Sequence, residues 1–242
     1  GYNSTEITNS QKIKEAVAEE CRNNLCVVPP REDGSKAPMG EWKTFQTKRP
    51  IENQIAEWYS NGKIRTGIGL ITGKVSGNLE VLDFDNVDVY KNFRALAKNC
   101  GLGDLVTKIE LGYSEFSPNG AHWLYKCDKI SGNTKLANDS KKNTLIETRG
   151  EGGYVVTAPT FGDVNADGPY VLKNGGFSTI ETITPDERKA LHDLARSFDE
   201  KIKIDSNYSS VNYRRPGDDF IAQSTCDEIL ITYWLTKVLR KG

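Results

Sequence analysis

Two aspartates in one short apolar stretch are the residues of this sequence best suited to chemistry. Asp83 and Asp85 alternate with Leu82 and Phe84, and a β-strand directs alternate side chains to opposite faces. The pattern therefore predicts a strand whose carboxylates stand together on one face while its apolar side chains enter a core. Because neighbouring carboxylates repel each other unless a cation lies between them, and hard oxygen ligands suit Mg²⁺ or Mn²⁺, we interpret the pair as a metal site.

Two further stretches carry polar candidates. His122 follows a small-residue turn at residues 117–120, whose backbone N–H groups could hold an anion, and Glu147 lies two residues before Arg149 on a later strand. Three carboxylates on neighbouring strands are what two-metal phosphoryl or nucleotidyl transfer requires. His122, the turn amides and Arg149 would then bind a triphosphate. Taken singly, each feature also has a structural interpretation: a solvent-facing acid, a packed histidine and a cross-strand ion pair.

The hydrophobic pattern predicts the elements that must position these residues. Helical spacing predicts helices over residues 8–24, 51–60, 87–99 and 185–201. Strands are predicted over residues 25–30, 66–73, 79–85, 106–111, 121–127, 144–149, 154–156 and 170–172. The strands at 66–73 and 79–85 are joined by a short turn, so we expect them to be antiparallel neighbours. His192 lies off the apolar stripe of the last helix, and no chemistry is assigned to it.

Composition limits the class of protein. The chain has 242 residues, of which 27% are charged and 37% apolar, as in ordinary globular proteins. Its net charge of −1 gives no global positive field, so binding to DNA or RNA would need a local basic patch. The five cysteines contain no Cys-x-x-Cys pair, which favours reduced thiols over a zinc site. No signal peptide or membrane-spanning segment is recognised, so we expect a cytoplasmic protein without a membrane partner.

A local basic patch is present near the N-terminus. Cationic and aromatic side chains gather between residues 36 and 49, a combination typical of grooves that stack the bases and bind the phosphates of single-stranded nucleic acid. The candidate template-binding residues are Lys36, Trp42, Lys43, Lys48 and Arg49, with Phe45 beside them. Template binding by this patch would weaken steeply with salt. The structural alternative is a solvated loop with a docked tryptophan.

Together these motifs resemble the primase-polymerase domain of the archaeo-eukaryotic primase superfamily. The resemblance covers roughly residues 25–175 and rests on the order and spacing of three motifs. They are GKVSG at 73–77 leading to VLDFD at 81–85, then SPNGAH at 117–122, then IETRGEGGYVVTAPT at 146–160. It implies an α/β (α+β) fold in two lobes that meet at the acidic cleft. Its sheet would be mixed but largely antiparallel, with flanking helices and an RRM-like catalytic lobe.

The resemblance also implies roles for individual residues. It makes three carboxylates the ligands of two Mg²⁺ or Mn²⁺ ions: Asp83, Asp85 and Glu147. It makes His122 a contact of the incoming nucleotide's phosphates, with Ser117, Gly120 and Arg149 as further nucleotide-binding candidates. Relatives often have serine where this chain has Gly120, so a hydroxyl contact to phosphate is either lost or supplied by Ser117.

The implied activity is that of a DNA primase and DNA polymerase. Such an enzyme synthesises and extends primers on a single-stranded DNA template, with dNTPs or NTPs as substrates. Residues 214–220 look like the segment that follows this domain in larger primase-helicase proteins of phages, plasmids and other mobile elements. We therefore expect a catalytic domain at residues 1–204, then a linker and the start of a helical region at 205–242, cut from a longer protein with a C-terminal helicase or helical domain.

Two other functions stay open on the sequence. A metal-dependent nuclease would use the same three acids and histidine, and would shorten labelled DNA with Mn²⁺ in the absence of nucleotides. A non-catalytic DNA-binding module of a mobile-element replication protein would carry the acids for structure alone. Such a module would keep every activity of the parent protein after Asp83→Ala.

Overall fold

The computed structural model describes residues 4–60 and 62–200, which form five α-helices and ten β-strands. The helices are α1 (Ser4–Arg22), α2 (Glu52–Tyr59), α3 (Val87–Asn99), α4 (Gly103–Gly112) and α5 (Pro185–Arg196). The strands are β1 (Cys26–Val27), β2 (Ile68–Ile71), β3 (Leu79–Phe84), β4 (Tyr113–Phe116), β5 (Ala121–Cys127), β6 (Thr134–Asn138), β7 (Thr144–Arg149), β8 (Tyr154–Thr157), β9 (Val171–Gly175) and β10 (Thr182–Ile183). The predicted domain boundary after residue 204, the segment at 214–220 and the C-terminal helical region lie outside the described residues.

The strands form two sheets. A three-stranded sheet has the order β1-β2-β8, and a seven-stranded sheet has the order β6-β7-β3-β5-β4-β9, with β10 beside β5. Strand β10 runs parallel to β5, whereas every other strand pair in the described part of the chain is antiparallel. The predicted α+β fold with mixed, largely antiparallel sheets is therefore confirmed.

The two strands predicted to be neighbours lie in different sheets. Strand β2 pairs with β1 and β8, whereas β3 pairs with β5 and β7. The connection between them is a short 3₁₀ helix, Lys74–Ser76, followed by left-handed backbone at Gly77 (φ 70°) and Asn78 (φ 63°). This bend carries the chain from one sheet to the other, and a single antiparallel bridge between Gly73 and Leu79 closes it.

The strand predicted at residues 106–111 is wrong, because this stretch lies in α4. The helix buries Leu105, Val106 and Ile109, which share one helical face, and it leaves Leu111 exposed to 62%. The next strand, β4, was not predicted; it lies just before the turn at residues 117–120 and pairs with β5. Strand β6 was not predicted at all.

Strand β3 separates two hydrophobic cores. Leu82 and Phe84 are buried on one face, in a cluster with residues of α3, α4 and α5. Leu79 and Val81 are buried on the other face, with residues of α1, β2 and β8. The predicted alternation is confirmed. Asp83 follows Leu79 and Val81 in the alternation, so its side chain lies on the same face of β3 as the second core.

The α5 helix is attached to the back of β3 by a buried ionic network. Glu80 on β3 is fully buried, and its carboxylate accepts hydrogen bonds from Arg188 (Nη2 to Oε2, 2.9 Å) and from Tyr125. His192 Nε2 lies 3.1 Å from Glu80 Oε1 and 3.1 Å from the Tyr125 hydroxyl. The prediction that His192 lies off the buried stripe is wrong, because its ring is buried and pairs with Glu80.

The sequence also led to predictions about the oxidation state of the cysteines and about membrane-spanning segments. Cys21, Cys26 and Cys127 are free, as predicted, whereas Cys100 is disulfide-bonded, so the prediction of reduced thiols is wrong for that residue. None of the helices in the described ranges combines the length and the hydropathy needed to cross a bilayer.

Glu20 on α1 is a buried carboxyl group, and neither oxygen has a hydrogen-bond partner within residues 4–60 and 62–200. Burial, reinforced by the nearby Glu115 charge, raises its pKa well above the ordinary 4.5. Between the pKa of Glu20 in the unfolded chain and its higher pKa in the folded protein, only the folded protein keeps the proton. The free energy of unfolding therefore falls as the pH rises through this range.

We expect Glu20→Gln to raise the free energy of unfolding by about 2 kcal/mol near pH 8 and by much less near pH 4.

Urea denaturation at both pH values measures this effect. The matched control is Glu15→Gln on the same helix, because Glu15 is exposed and its replacement should leave stability within about 0.5 kcal/mol of the wild type. An equal gain at both pH values would contradict the explanation, since ionisation of Glu20 would then play no part.

Candidate active site

Four polar residues form a row across the seven-stranded sheet. The register of β3 places Asp83 directly opposite Glu147 of β7 on one side and opposite His122 of β5 on the other. His122 in turn lies opposite Glu115 of β4. Residues directly opposite one another in antiparallel strands share a face. The sheet therefore brings two of the predicted acids and the predicted histidine side by side.

His122 lies between two carboxylates. Its Nε2 is 3.3 Å from Asp83 Oδ1, and its Nδ1 is 3.1 Å from Glu115 Oε2. Burial alone would lower the pKa of the imidazole, but attraction to Asp83 and Glu115 outweighs it and raises the pKa to about 10. His122 is consequently a cation at neutral pH, with both ring nitrogens able to donate.

The three predicted metal-binding acids differ in their electrostatics. Burial raises the pKa of Asp83, but the His122 charge outweighs this and the net pKa is lowered. The pKa of Asp85 is raised by burial and by the Asp83 charge. The pKa of Glu147 is raised chiefly by burial, and Asp83 adds to this against the opposing effect of Arg149. The Asp83 charge therefore disfavours ionisation of both Asp85 and Glu147. A bound cation would relieve this repulsion between the carboxylates.

The donor set fits a divalent cation in its chemistry, because carboxylate oxygens are the ligands that Mg²⁺ and Mn²⁺ prefer. The side chains are not gathered around a single point. In residues 4–60 and 62–200 no group of three or more His, Cys, Asp or Glu side chains is close enough to hold an ion. Glu147 Oε1 instead accepts a hydrogen bond from Arg149 Nη2 at 2.6 Å. The metal site stays a prediction.

Asp83 and His122, the two middle residues of the row, line a cavity of about 420 Å³, within the usual size range of ligand sites. Glu147 and Glu115, at the two ends of the row, are not among its lining residues. Side chains from both sheets and from the loops line it, and most of the predicted site residues are among them: Lys36, Trp42, Asp83, Asp85, Ser117, His122 and Arg149. The Lys36 charge opposes the rise in the pKa of Asp85. Acids and cations therefore face the same cavity.

The turn at residues 117–120 is held by its own polar groups. Ser117 N donates to Gly120 O at 3.1 Å, and Gly120 N donates to the Ser117 hydroxyl at 3.0 Å. The turn is also pressed against the end of β3, because a Cβ at Gly120 would lie 1.8 Å from the Phe84 carbonyl oxygen. Only glycine fits this approach. Gly120 thus fixes the position of the turn next to Asp85, while its predicted role in nucleotide binding stays a prediction.

We expect Gly120→Ala to lower the free energy of unfolding by about 2 kcal/mol, because the added methyl group would push the turn away from Phe84. Thermal unfolding of the purified variant measures the loss. The matched control is Gly132→Ala, since a Cβ there would have no atom within 4 Å. Equal stability of the two variants would show that the turn can shift without cost.

Two of the predicted template-binding residues lie in the cavity. Lys36 is exposed in the loop after β1 and has a left-handed backbone conformation (φ 60°). Trp42 begins a short 3₁₀ helix and packs against Tyr154, with the ring centres 6.3 Å apart. Both side chains therefore line the same cavity as Asp83 and Asp85, and their predicted contact with the template stays a prediction.

The other three template candidates lie elsewhere. Lys48 and Arg49 line a separate surface groove, and Lys43 is exposed on the short 3₁₀ helix. The Arg49 guanidinium is already used in the fold, because Nη1 lies 3.3 Å from both the Asn24 and the Val75 carbonyl oxygens. The predicted basic patch is thus divided between two surfaces.

Two residues of this site were missed in the sequence. Glu115 was given no element or role, although a hairpin closed by residues 117–120 places Phe116 opposite Ala121 and Glu115 opposite His122. Hairpin symmetry could therefore have found it. Tyr170 lines the cavity with its ring centre 6.0 Å from that of His122. It reaches the site from a loop far along the chain, and no local pattern predicts that contact.

Comparison with known proteins adds a family to this geometry. The model of a family described as "Bifunctional DNA primase/polymerase, N-terminal" matches residues 18–186, a span that includes every cavity residue described above. No curated protein is similar enough to the chain to count as a match.

Proposed function

Because the chain belongs to the bifunctional DNA primase/polymerase (Prim-Pol) family, we propose that its cavity is the active site of a nucleotidyltransferase that makes and extends primers on single-stranded DNA. The observation that carries the proposal is the cross-strand row of Glu147, Asp83 and His122. It places two acids that could hold divalent cations beside a cation able to bind phosphate. Asp83 and His122 line the cavity, as does Asp85, whereas Glu147 lies next to Asp83 but outside the cavity lining. The family implies DNA and nucleotides as substrates.

Asp83, Asp85 and Glu147 would hold Mg²⁺ or Mn²⁺. When bound, these ions would assist ionisation of the primer's 3′-hydroxyl and stabilise the charge on the departing pyrophosphate. Asp83 also has an effect on His122. Asp83 attracts the His122 imidazolium and so keeps a positive charge at the edge of the cavity.

Three cations would bind the triphosphate. His122 would donate from Nε2, Arg149 would offer its planar guanidinium, and Lys36 would contribute an ammonium group from its exposed loop. Charge-assisted hydrogen bonds of this kind are stronger than neutral ones, and they orient the phosphates. The incoming nucleotide would thereby be held with its α-phosphate near Asp83 and Asp85.

Aromatic side chains would hold the bases. Trp42 and Tyr170 both line the cavity, and stacking of a base on such a ring contributes about 1–3 kcal/mol without depending on sequence. Lys43, Lys48 and Arg49 stay candidates for contacts with the template backbone farther from the reaction. Template binding through them would weaken as salt is raised.

The test is template-directed incorporation by the wild-type protein. A single-stranded DNA template is offered with and without an annealed primer, with labelled dNTPs or NTPs and with Mg²⁺ or Mn²⁺. We expect the primer to grow only when the nucleotide complementary to the next template base is present, and EDTA to stop the reaction. Products in the absence of a primer would add priming activity.

Two outcomes would contradict the proposal. One is a folded wild-type protein that incorporates no nucleotide with either metal ion. The other is shortening of labelled DNA in the absence of nucleotides, with no extension in their presence, which would indicate a nuclease.

A further inference from the structure

A second carboxylate lies behind the histidine, on the side away from Asp83. Glu115 occupies β4 opposite His122, and its side chain is fully buried. Its Oε2 lies 3.1 Å from His122 Nδ1. Glu115 does not line the cavity, so it has no direct contact with a nucleotide there, and His122 is the cavity residue that it touches.

Glu115 is itself fixed by further donors. The Ala158 backbone N–H approaches both carboxylate oxygens, at 3.2 Å and 3.3 Å, and the Tyr113 hydroxyl donates to Oε1. A backbone N–H can only donate, so these contacts favour the carboxylate as an acceptor. With His122 included, three groups converge on two oxygens that are shielded from water, which satisfies this buried group and holds it in one orientation.

This arrangement determines which way the histidine ring faces. Because Glu115 accepts from Nδ1, that nitrogen carries a proton, and Nε2 is directed to the opposite side, toward Asp83 and the cavity. Turning the ring over would leave the buried Glu115 without one of its donors, at the free-energy cost of an unpaired buried group. A carboxylate that accepts from one ring nitrogen commonly fixes the tautomer and the orientation of a functional histidine.

We propose that Glu115 is a positioning residue for nucleotide binding: it holds the His122 ring so that Nε2 faces the phosphates of the incoming nucleotide. The inference rests on the proposed function of His122. It differs from a purely structural role in one respect. A structural Glu115 would affect the protein whether or not His122 were present, whereas a positioning residue acts through His122 alone.

A double-mutant cycle separates the two roles. The nucleotide KM and kcat of primer extension are measured for the wild type, Glu115→Gln, His122→Ala and the double variant. We expect Glu115→Gln to raise KM about tenfold with a smaller effect on kcat, and to change KM less than about twofold once His122 is absent. Equal effects of Glu115→Gln in both backgrounds would overturn the proposal and leave the proposed function standing.

A measurement without catalysis tests the inference independently of the extension assay and of whether Glu115→Gln folds. The chain contains only two histidines, so the imidazole ¹⁵N spectrum of the wild type has two sets of signals, and His122→Ala assigns them. We expect the Nδ1 of His122 to carry a slowly exchanging proton. An unprotonated Nδ1 in the wild type would overturn the inference, whatever the outcome of the extension assay.

Discussion

Replacement of Asp83 by asparagine is expected to slow primer extension by at least about a thousandfold. Asp83 is the centre of the cross-strand row, opposite both Glu147 and His122. The substitution keeps the shape of the side chain but removes the charge that would hold the metal ions. It also removes one of the two charges that keep His122 protonated, the one on the cavity side. Loss of both effects at one position makes this the largest change in activity that we predict.

Single-turnover extension of a labelled primer measures the effect at saturating nucleotide. The matched control is Asp88→Asn, an exposed acid in the first turn of α3 that does not line the cavity. Its rate should stay within about twofold of the wild type. Thermal unfolding establishes that both variants are folded. A folded Asp83→Asn protein that extends primers at more than about a tenth of the wild-type rate would exclude Asp83 as a metal ligand.

Replacement of Glu80 by glutamine is expected to produce the largest loss of stability, about 3 kcal/mol. Glu80 is fully buried and is shared by Arg188, His192 and Tyr125. Removing its charge leaves the Arg188 guanidinium, which is 18% exposed, without a carboxylate partner. Breaking one side of a buried ion pair in this way is far more costly than losing a pair on the surface.

The loss should depend on pH in a defined direction. Burial raises the pKa of Glu80, but hydrogen bonds from His192 and Arg188 outweigh it, so the folded pKa lies below the ordinary 4.5. The stabilisation is therefore fully present above pH 4.5 and is lost as the pH falls through the folded pKa. The difference between wild type and Glu80→Gln should shrink in that acid range.

Urea denaturation across this pH range tests both parts of the prediction. Glu181→Gln, at an exposed acid just before β10, is the control and should show almost no loss. A deficit that does not change with pH would mean that the Glu80 charge is unimportant and that only the shape of the side chain matters.

Strong local periodicity made part of this fold readable from the sequence. The alternation around Asp83 predicted its face correctly, since Leu82 and Phe84 are both buried. Helix α3 was predicted at residues 87–99 from its helical spacing, and it has these bounds. Its first turn is capped by the Asn86 side chain, which accepts from Val89 N at 2.8 Å. These signals lie within a few residues of the element that they specify.

Contacts between distant segments were harder to predict. Short apolar runs fit either period, and the stretch at residues 106–111 was misassigned for that reason. The burial of His192 depends on Glu80, which comes from a strand far away in the chain. Arg49 looked like a free cation, and only the folded chain shows it bonded to two backbone carbonyls. Each of these depends on tertiary contacts that no local pattern encodes.

The same distinction between near and distant contacts applies to the way the site is assembled during folding. His122 and Glu115 belong to one tight hairpin, whose closure restricts only a short loop and is fast. Asp83 and Glu147 join this hairpin through strand pairings between segments far apart in the chain, which form more slowly. The histidine and the carboxylate that orients it can therefore meet early in folding, whereas the acidic half of the site requires the complete central sheet. A partly folded chain would contain the paired hairpin without a functional site.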